Sequence, residues 1–132
     1  MNHYGAGGEA VRKTVNILGT EYKIEIHKKQ DDKLLEERSW VGYCSSDLHL
    51  IVIADFDDTD SFYFASETEK DICAKRTLRH ELVHAFLNES GLIDNTFYDG
   101  SWATNEEMVD WIALQMPKIV KACEEVGALW DY

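Results

Sequence analysis

The stretch His80-Glu81-Leu82-Val83-His84 constrains this chain more than any other, because it dictates what the helix carrying it must present. The residues around it, from Thr68 or Glu69 to Glu89, read as one long helix. Ser90-Gly91 supplies the stop, with Gly91 as the natural left-handed residue after the last turn. An α-helix turns about 100° per residue, so residues four apart lie about 40° from one another. His80 and His84 therefore project from one face, one turn apart, and can present two imidazole nitrogens to one cation. Glu81 leans off the same side, placed to hold a water rather than a metal. With His80 at the origin of the helical wheel, Leu78, Leu82, Val83, Ala85 and Phe86 spread over roughly 140–300°. That arc is the expected core face, and the His/Glu face lies off it.

Two imidazoles are an incomplete ligand set, so a third donor must come from elsewhere. Asn105-Glu106-Glu107-Met108-Val109-Asp110 offers one. Glu106 follows His84 by 22 positions, room for the end of one helix, an irregular loop over 92–102 and the start of an opposing helix. Thr104 is the expected cap of that helix, with Glu107 completing a capping box. Glu106 and Asp110 are again one turn apart. Glu106 completes a His/His/Glu set, and Asp110 points back to accept a hydrogen bond from the non-ligating N–H of a metal-bound histidine, fixing its tautomer. Glu107 is the competing ligand, although it turns about 100° away on the wheel. Two neutral histidines and one carboxylate suit Zn2+ with one position left open. Such a centre brings the pKa of bound water toward about 7, and Glu81 can accept the proton.

The front half carries strand patterns. Residues 11–18 alternate, Gly19-Thr20 can turn the chain, and 22–27 alternate again, which predicts a hairpin. Residues 28–38 are charged and form a loop or a short helix. Residues 40–44 predict a short strand and 48–54 the strongest strand of the chain. The acidic run 55–60 lacks the spacing of a calcium loop and reads as a solvated turn. Pro117 should split or kink the second helix, leaving a segment over 117–126 that ends at Gly127. Trp130 and Tyr132 are expected to dock on the core. Strands followed by helices predict an α+β fold, with a small antiparallel or mixed sheet packed on the active-site helix and a second ligand-bearing helix. Residues 1–10 read as a flexible tail and 11–132 as one domain.

Twenty-five acidic against 13 basic residues give a formal charge of −12. An acidic surface repels phosphate backbones, which argues against nucleic-acid partners and leaves basic or neutral peptides. Cys44, Cys73 and Cys123 are odd in number and form no C-x-x-C pair, so a reducing, cytoplasmic setting is expected rather than a disulfide framework. The opening residues lack the apolar region of a secretory signal, and no run approaches membrane-spanning length.

His80-Glu81-x-x-His84 followed by Asn105-Glu106-x-x-x-Asp110 resembles the gluzincin branch of the zincin metallopeptidases. The stretches Gly42-Tyr43-Cys44, Leu78-Arg79-His80-Glu81-Leu82-Val83-His84-Ala85-Phe86-Leu87 and Asn105-Glu106-Glu107-Met108-Val109-Asp110-Trp111-Ile112-Ala113 are closer still to the small ImmA/IrrE-like metallopeptidases and short phage-encoded proteins of that type. The resemblance implies a minimal zincin-like domain in which His80, His84 and Glu106 bind zinc, Glu81 is the base and Asp110 supports a ligand. It further implies Glu-assisted attack of zinc-bound water on a peptide bond of a protein partner. In zincins a strand beside the active helix pairs with extended peptide, and 48–54 is the expected edge here. His49, Tyr98 and Trp102 are candidate oxyanion donors. The competing expectations are a catalytically silent, zinc-stabilised interaction module, and a deformylase-like amidase in which Cys44 is a ligand.

Overall fold

A computed structural model of the protein describes residues 13–92 and 105–130. The alternating front half forms the expected hairpin. β1 (Lys13–Ile17) and β2 (Thr20–His27) pair antiparallel, with Ile17 opposite Thr20. The turn falls one residue earlier than expected, on Leu18 and Gly19, whose φ angles are 51° and 96°. Two positive φ angles are what a two-residue type I′ turn needs to match the twist of its strands. The side-chain carbonyl of Asn16 accepts the Gly19 N–H at 2.8 Å.

The charged stretch that follows contains a single 3-10 turn, Lys29–Asp31, and a short helix, α1 (Lys33–Glu37). Asp32 caps α1 by accepting the Leu34 and Leu35 N–H groups, and Leu35 is buried in the core. β3 (Gly42–Ser45) and β4 (Leu50–Ala54) complete a four-stranded sheet of order β1-β2-β4-β3. β4 runs parallel to β2 and antiparallel to β3, so the sheet is mixed and the fold is α+β. The acidic run after β4 is a turn, in which Asp55 and Asp58 side chains accept the N–H groups of Asp57 and Asp60.

The expected edge strand is corrected by this order. Residues 48–54 were expected at the free edge, whereas β4 is interior, held between β2 and β3. Its consecutive residues Ile51, Val52, Ile53 and Ala54 are all buried. An unbroken apolar run marks a strand covered on both faces, and such strands sit inside sheets. The free edge on this side is β3.

α2 (Glu67–Glu89) starts slightly before the expected Thr68 or Glu69, because Ser66 caps it by accepting the Glu69 N–H. It ends at Ser90, followed by Gly91 at a φ of 83°. α2 lies in a corner. Leu78, Leu82 and Ala85 pack on the sheet, while Val83 and Leu87 pack on α3 (Glu106–Glu125) with Val109 and Ala113. The expected single core arc is therefore divided in two, and Phe86, near its middle, is 43% exposed.

α3 is capped by Asn105, which accepts the Met108 N–H at 2.8 Å, in place of the expected Thr104 capping box. Asparagine at this position reaches the third helical N–H directly. Pro117 does not split the helix, which continues through it to Glu125. Trp130, expected on the core, is 67% exposed. Among the described residues no helix is long and apolar enough to cross a membrane. The expected N-terminal tail, Tyr98, Trp102, Thr104 and Tyr132 lie outside the described residues.

Candidate metal centre

Each helix sets two groups by its own periodicity, and the apolar seam between them sets the rest. α2 carries His80 and His84 on one face, α3 carries Glu106 and Asp110, and the packing of Val83 and Leu87 on Val109 brings the two faces together. His80 Nε2 and His84 Nε2 lie 3.1 Å apart. The Glu106 carboxylate sits against both, Oε2 at 3.0 Å from His80 Nε2 and Oε1 at 2.9 Å from His84 Nε2. The three donors are the one such cluster among the described residues.

This donor set fits a metal. Zinc–nitrogen and zinc–oxygen bonds of about 2.0–2.1 Å place the corners of a tetrahedron roughly 3.3 Å apart, close to the spacings here. Glu106 is 65% exposed, so one side of the cluster is open to solvent. Donors of these types accept zinc and other divalent ions.

The remaining groups surround this cluster. Asp110 Oδ1 lies 2.6 Å from His80 Nδ1. With Nδ1 donating to that carboxylate, Nε2 carries the lone pair and faces the cluster. Burial holds His84 below the ordinary histidine value, as does His80, against the pull of Glu106, so its imidazole is neutral near pH 7 and available as a ligand. Glu81 Oε2 stands 4.0 Å from His80 Nε2, beside the cluster but outside the ligand set. Glu81 is only 6% exposed. Burial pushes its carboxyl up to about 7, with Glu106 and Asp110 pushing the same way and His80 opposing.

A groove of about 810 Å³ opens on these residues. One wall is β3. The other is a row along α2 formed by Arg76, His80, His84 and Asn88, each one turn from the next. Gly42 permits the two walls to meet: a Cβ there would lie 3.1 Å from Thr77 Cγ2 and 3.1 Å from the Val52 carbonyl oxygen. Arg76, Thr77 and Asn88 did not stand out in the sequence. Counting four residues outward from each histidine would have found Arg76 and Asn88.

Other singled-out residues fall elsewhere. Cys44 lines the groove but adds no donor to the cluster, and burial pushes its thiol up to about 12, with Glu81 adding to the effect. It accepts a long hydrogen bond from Asn88 Nδ2 at 3.8 Å. Glu107 is likewise not in the cluster. His49 is not among the groove residues and packs its ring against Tyr22 at 5.2 Å. A comparison of the chain with protein-family models, with curated proteins and with solved structures finds no match.

Proposed function

We propose that this protein is a zinc-dependent metallopeptidase that binds an extended segment of a protein or peptide and hydrolyses one of its peptide bonds. The observation that carries the reading is the convergence of His80, His84 and Glu106 with a buried, non-ligating Glu81 at their side. Zinc held there would supply a Lewis acid that polarises a carbonyl and makes water acidic near neutral pH. Glu81, buried beside the cluster and outside the ligand set, would take the proton from the attacking water and pass it to the leaving amine. Asp110 keeps His80 in the tautomer that leaves Nε2 free.

The β3 edge supports binding of extended substrate. The Val41 carbonyl accepts the Ala54 N–H at 2.8 Å, so Val41 and Tyr43 bond inward to β4. In an antiparallel pair the alternate residues, here Gly42 and Cys44, turn their N–H and C=O groups away. Those groups face the side on which a peptide strand adds.

The test is Glu81→Gln. Elemental analysis should find one zinc per chain in both wild type and variant. Cleavage of a complex peptide mixture, followed by mass spectrometry, should occur in the wild type and vanish in the variant. A zinc-loaded wild type that cleaves no peptide would instead support a silent, zinc-stabilised interaction module.

A further inference from the structure

Pro117 stands inside α3, where its ring removes the N–H that would have bonded the carbonyl four residues earlier, that of Ala113. That carbonyl has another partner. Arg79 of α2 donates its Nε–H to Ala113 O at 2.8 Å. Ala113 is buried in the seam where Val83 and Leu87 meet Val109. Among the described residues, the other polar ties between α2 and α3 are those of His80 and His84 with Glu106 and Asp110, at the candidate centre itself.

The position of this tie matters. Apolar packing is non-directional and resists separation of two helices more than their sliding. A hydrogen bond has a narrow range of length and angle, and so fixes the slide. Arg79 immediately precedes His80, and Ala113 shares a rigid helix with Glu106 and Asp110. A slide of α3 by one residue's rise, about 1.5 Å, would carry both acids with it. Metal–ligand distances tolerate only about 0.2 Å.

We propose that Arg79 is a positioning residue for the metal centre, and that Pro117 reserves the Ala113 carbonyl for it. The tie sets the axial register of α3 on α2, and with it the placement of Glu106 and Asp110 against His80 and His84. This rests on the metal reading above, which zinc titration of the wild type tests by itself.

Two variants test the tie. Arg79→Met keeps an apolar stem and loses the donor. Pro117→Ala returns an N–H to α3 and draws the Ala113 carbonyl back into the helix ladder. Zinc affinity, measured by competition with a chromophoric chelator, should fall about 10- to 100-fold in both. The melting temperature of zinc-free Pro117→Ala should nevertheless rise, since alanine is the better helix former. Lost affinity with gained stability is a pairing that a merely structural role for Pro117 does not produce. Affinities within twofold of the wild type in both variants would overturn the proposal. Hydrogen exchange on the zinc-free protein gives a readout that needs no metal: amides of α3 around Ala113 should lose protection in Arg79→Met. A wild type that binds no zinc would sink the metal reading, while unchanged exchange would sink the tie.

Discussion

Gly42 is required by contact rather than by a turn. A Cβ at this position would meet Thr77 Cγ2 and the Val52 carbonyl at 3.1 Å and Ile53 Cδ1 at 3.2 Å. Thr77 is buried and its hydroxyl is committed to the Cys73 carbonyl at 2.8 Å, so it cannot swing aside. Gly42→Ala should therefore push α2 off β3 and cost about 1–3 kcal/mol, read from urea denaturation of the zinc-free protein. Thr77→Ser removes the clashing methyl and should recover part of that loss, leaving the share due to the Val52 carbonyl. A glycine inside a strand already signals close approach in the sequence, but not what approaches. The same limit applies to the residues of the candidate metal centre. The pairs His80/His84 and Glu106/Asp110 follow from the helical repeat alone and were legible. That Glu106 reaches both imidazoles depends on the seam between α2 and α3, which no local pattern encodes. Nor does the sequence reveal that Glu81 is buried, because burial depends on the tertiary packing around α2.

At the scale of elements, strand strength and strand position proved to be different properties. Residues 48–54 are the most apolar strand, and that is why β4 is interior, flanked by β2 and β3. The strand that borders the groove is the half-buried Gly42-Tyr43-Cys44-Ser45, whose weak pattern gave little reason to favour it. Pairing order is a long-range property, and alternation constrains faces but not neighbours. The helix does not break at Pro117 for a related reason: the carbonyl that its missing N–H frees is taken by Arg79 from another element. The β3 edge yields a direct prediction. Cys44→Pro removes an outward N–H and leaves the inward bonds of Val41 and Tyr43 to β4 untouched. Zinc content and far-ultraviolet circular dichroism should match the wild type. Binding of a cleavable peptide to the Glu81→Gln, Cys44→Pro double variant should be about tenfold weaker than to Glu81→Gln alone. Equal binding would place the substrate somewhere other than this edge.

For the molecule as a whole, pH and metal should act against one another. His27 lies between two carboxylates, with Nδ1 at 2.7 Å from Asp32 Oδ2 and Nε2 at 2.8 Å from Glu25 Oε1, and Tyr43 donates to the same Asp32 oxygen at 2.7 Å. This cluster joins β2, the cap of α1 and β3. Burial lowers the pKa of His27, but the hydrogen bonds of Asp32 and Glu25 outweigh it and raise it above 6.5. Its contribution to stability is thus complete below 6.5 and is lost as the pH climbs through the folded value. Burial raises Asp32, but the bonds from His27, Tyr43 and the Leu35 N–H outweigh it and hold it below 3.8. Its contribution is complete above 3.8 and is lost only as the pH falls through the lower folded value. Glu81 acts in the same direction as His27: raised from 4.5 to about 7, it makes the zinc-free protein lose stability as the pH rises between those values. His84, held below 6.5 by burial, opposes Glu81, since stability rises with pH from its folded value up to 6.5. Above 6.5 that opposition is gone, and the zinc-free protein should lose stability toward pH 8. Zinc, if held at the proposed site, should reverse that slope. Its ligands must be deprotonated, so binding releases protons and strengthens with pH, and a nearby dication favours ionised Glu81. Free zinc at 100 times its Kd adds about 2.7 kcal/mol to stability. At a fixed zinc concentration, the gap between urea midpoints with and without zinc should widen steadily from pH 5.5 to pH 8. In His84→Ala the gap should close at every pH. A gap in the wild type that stays constant across this range would mean that any bound ion is held without the two imidazoles.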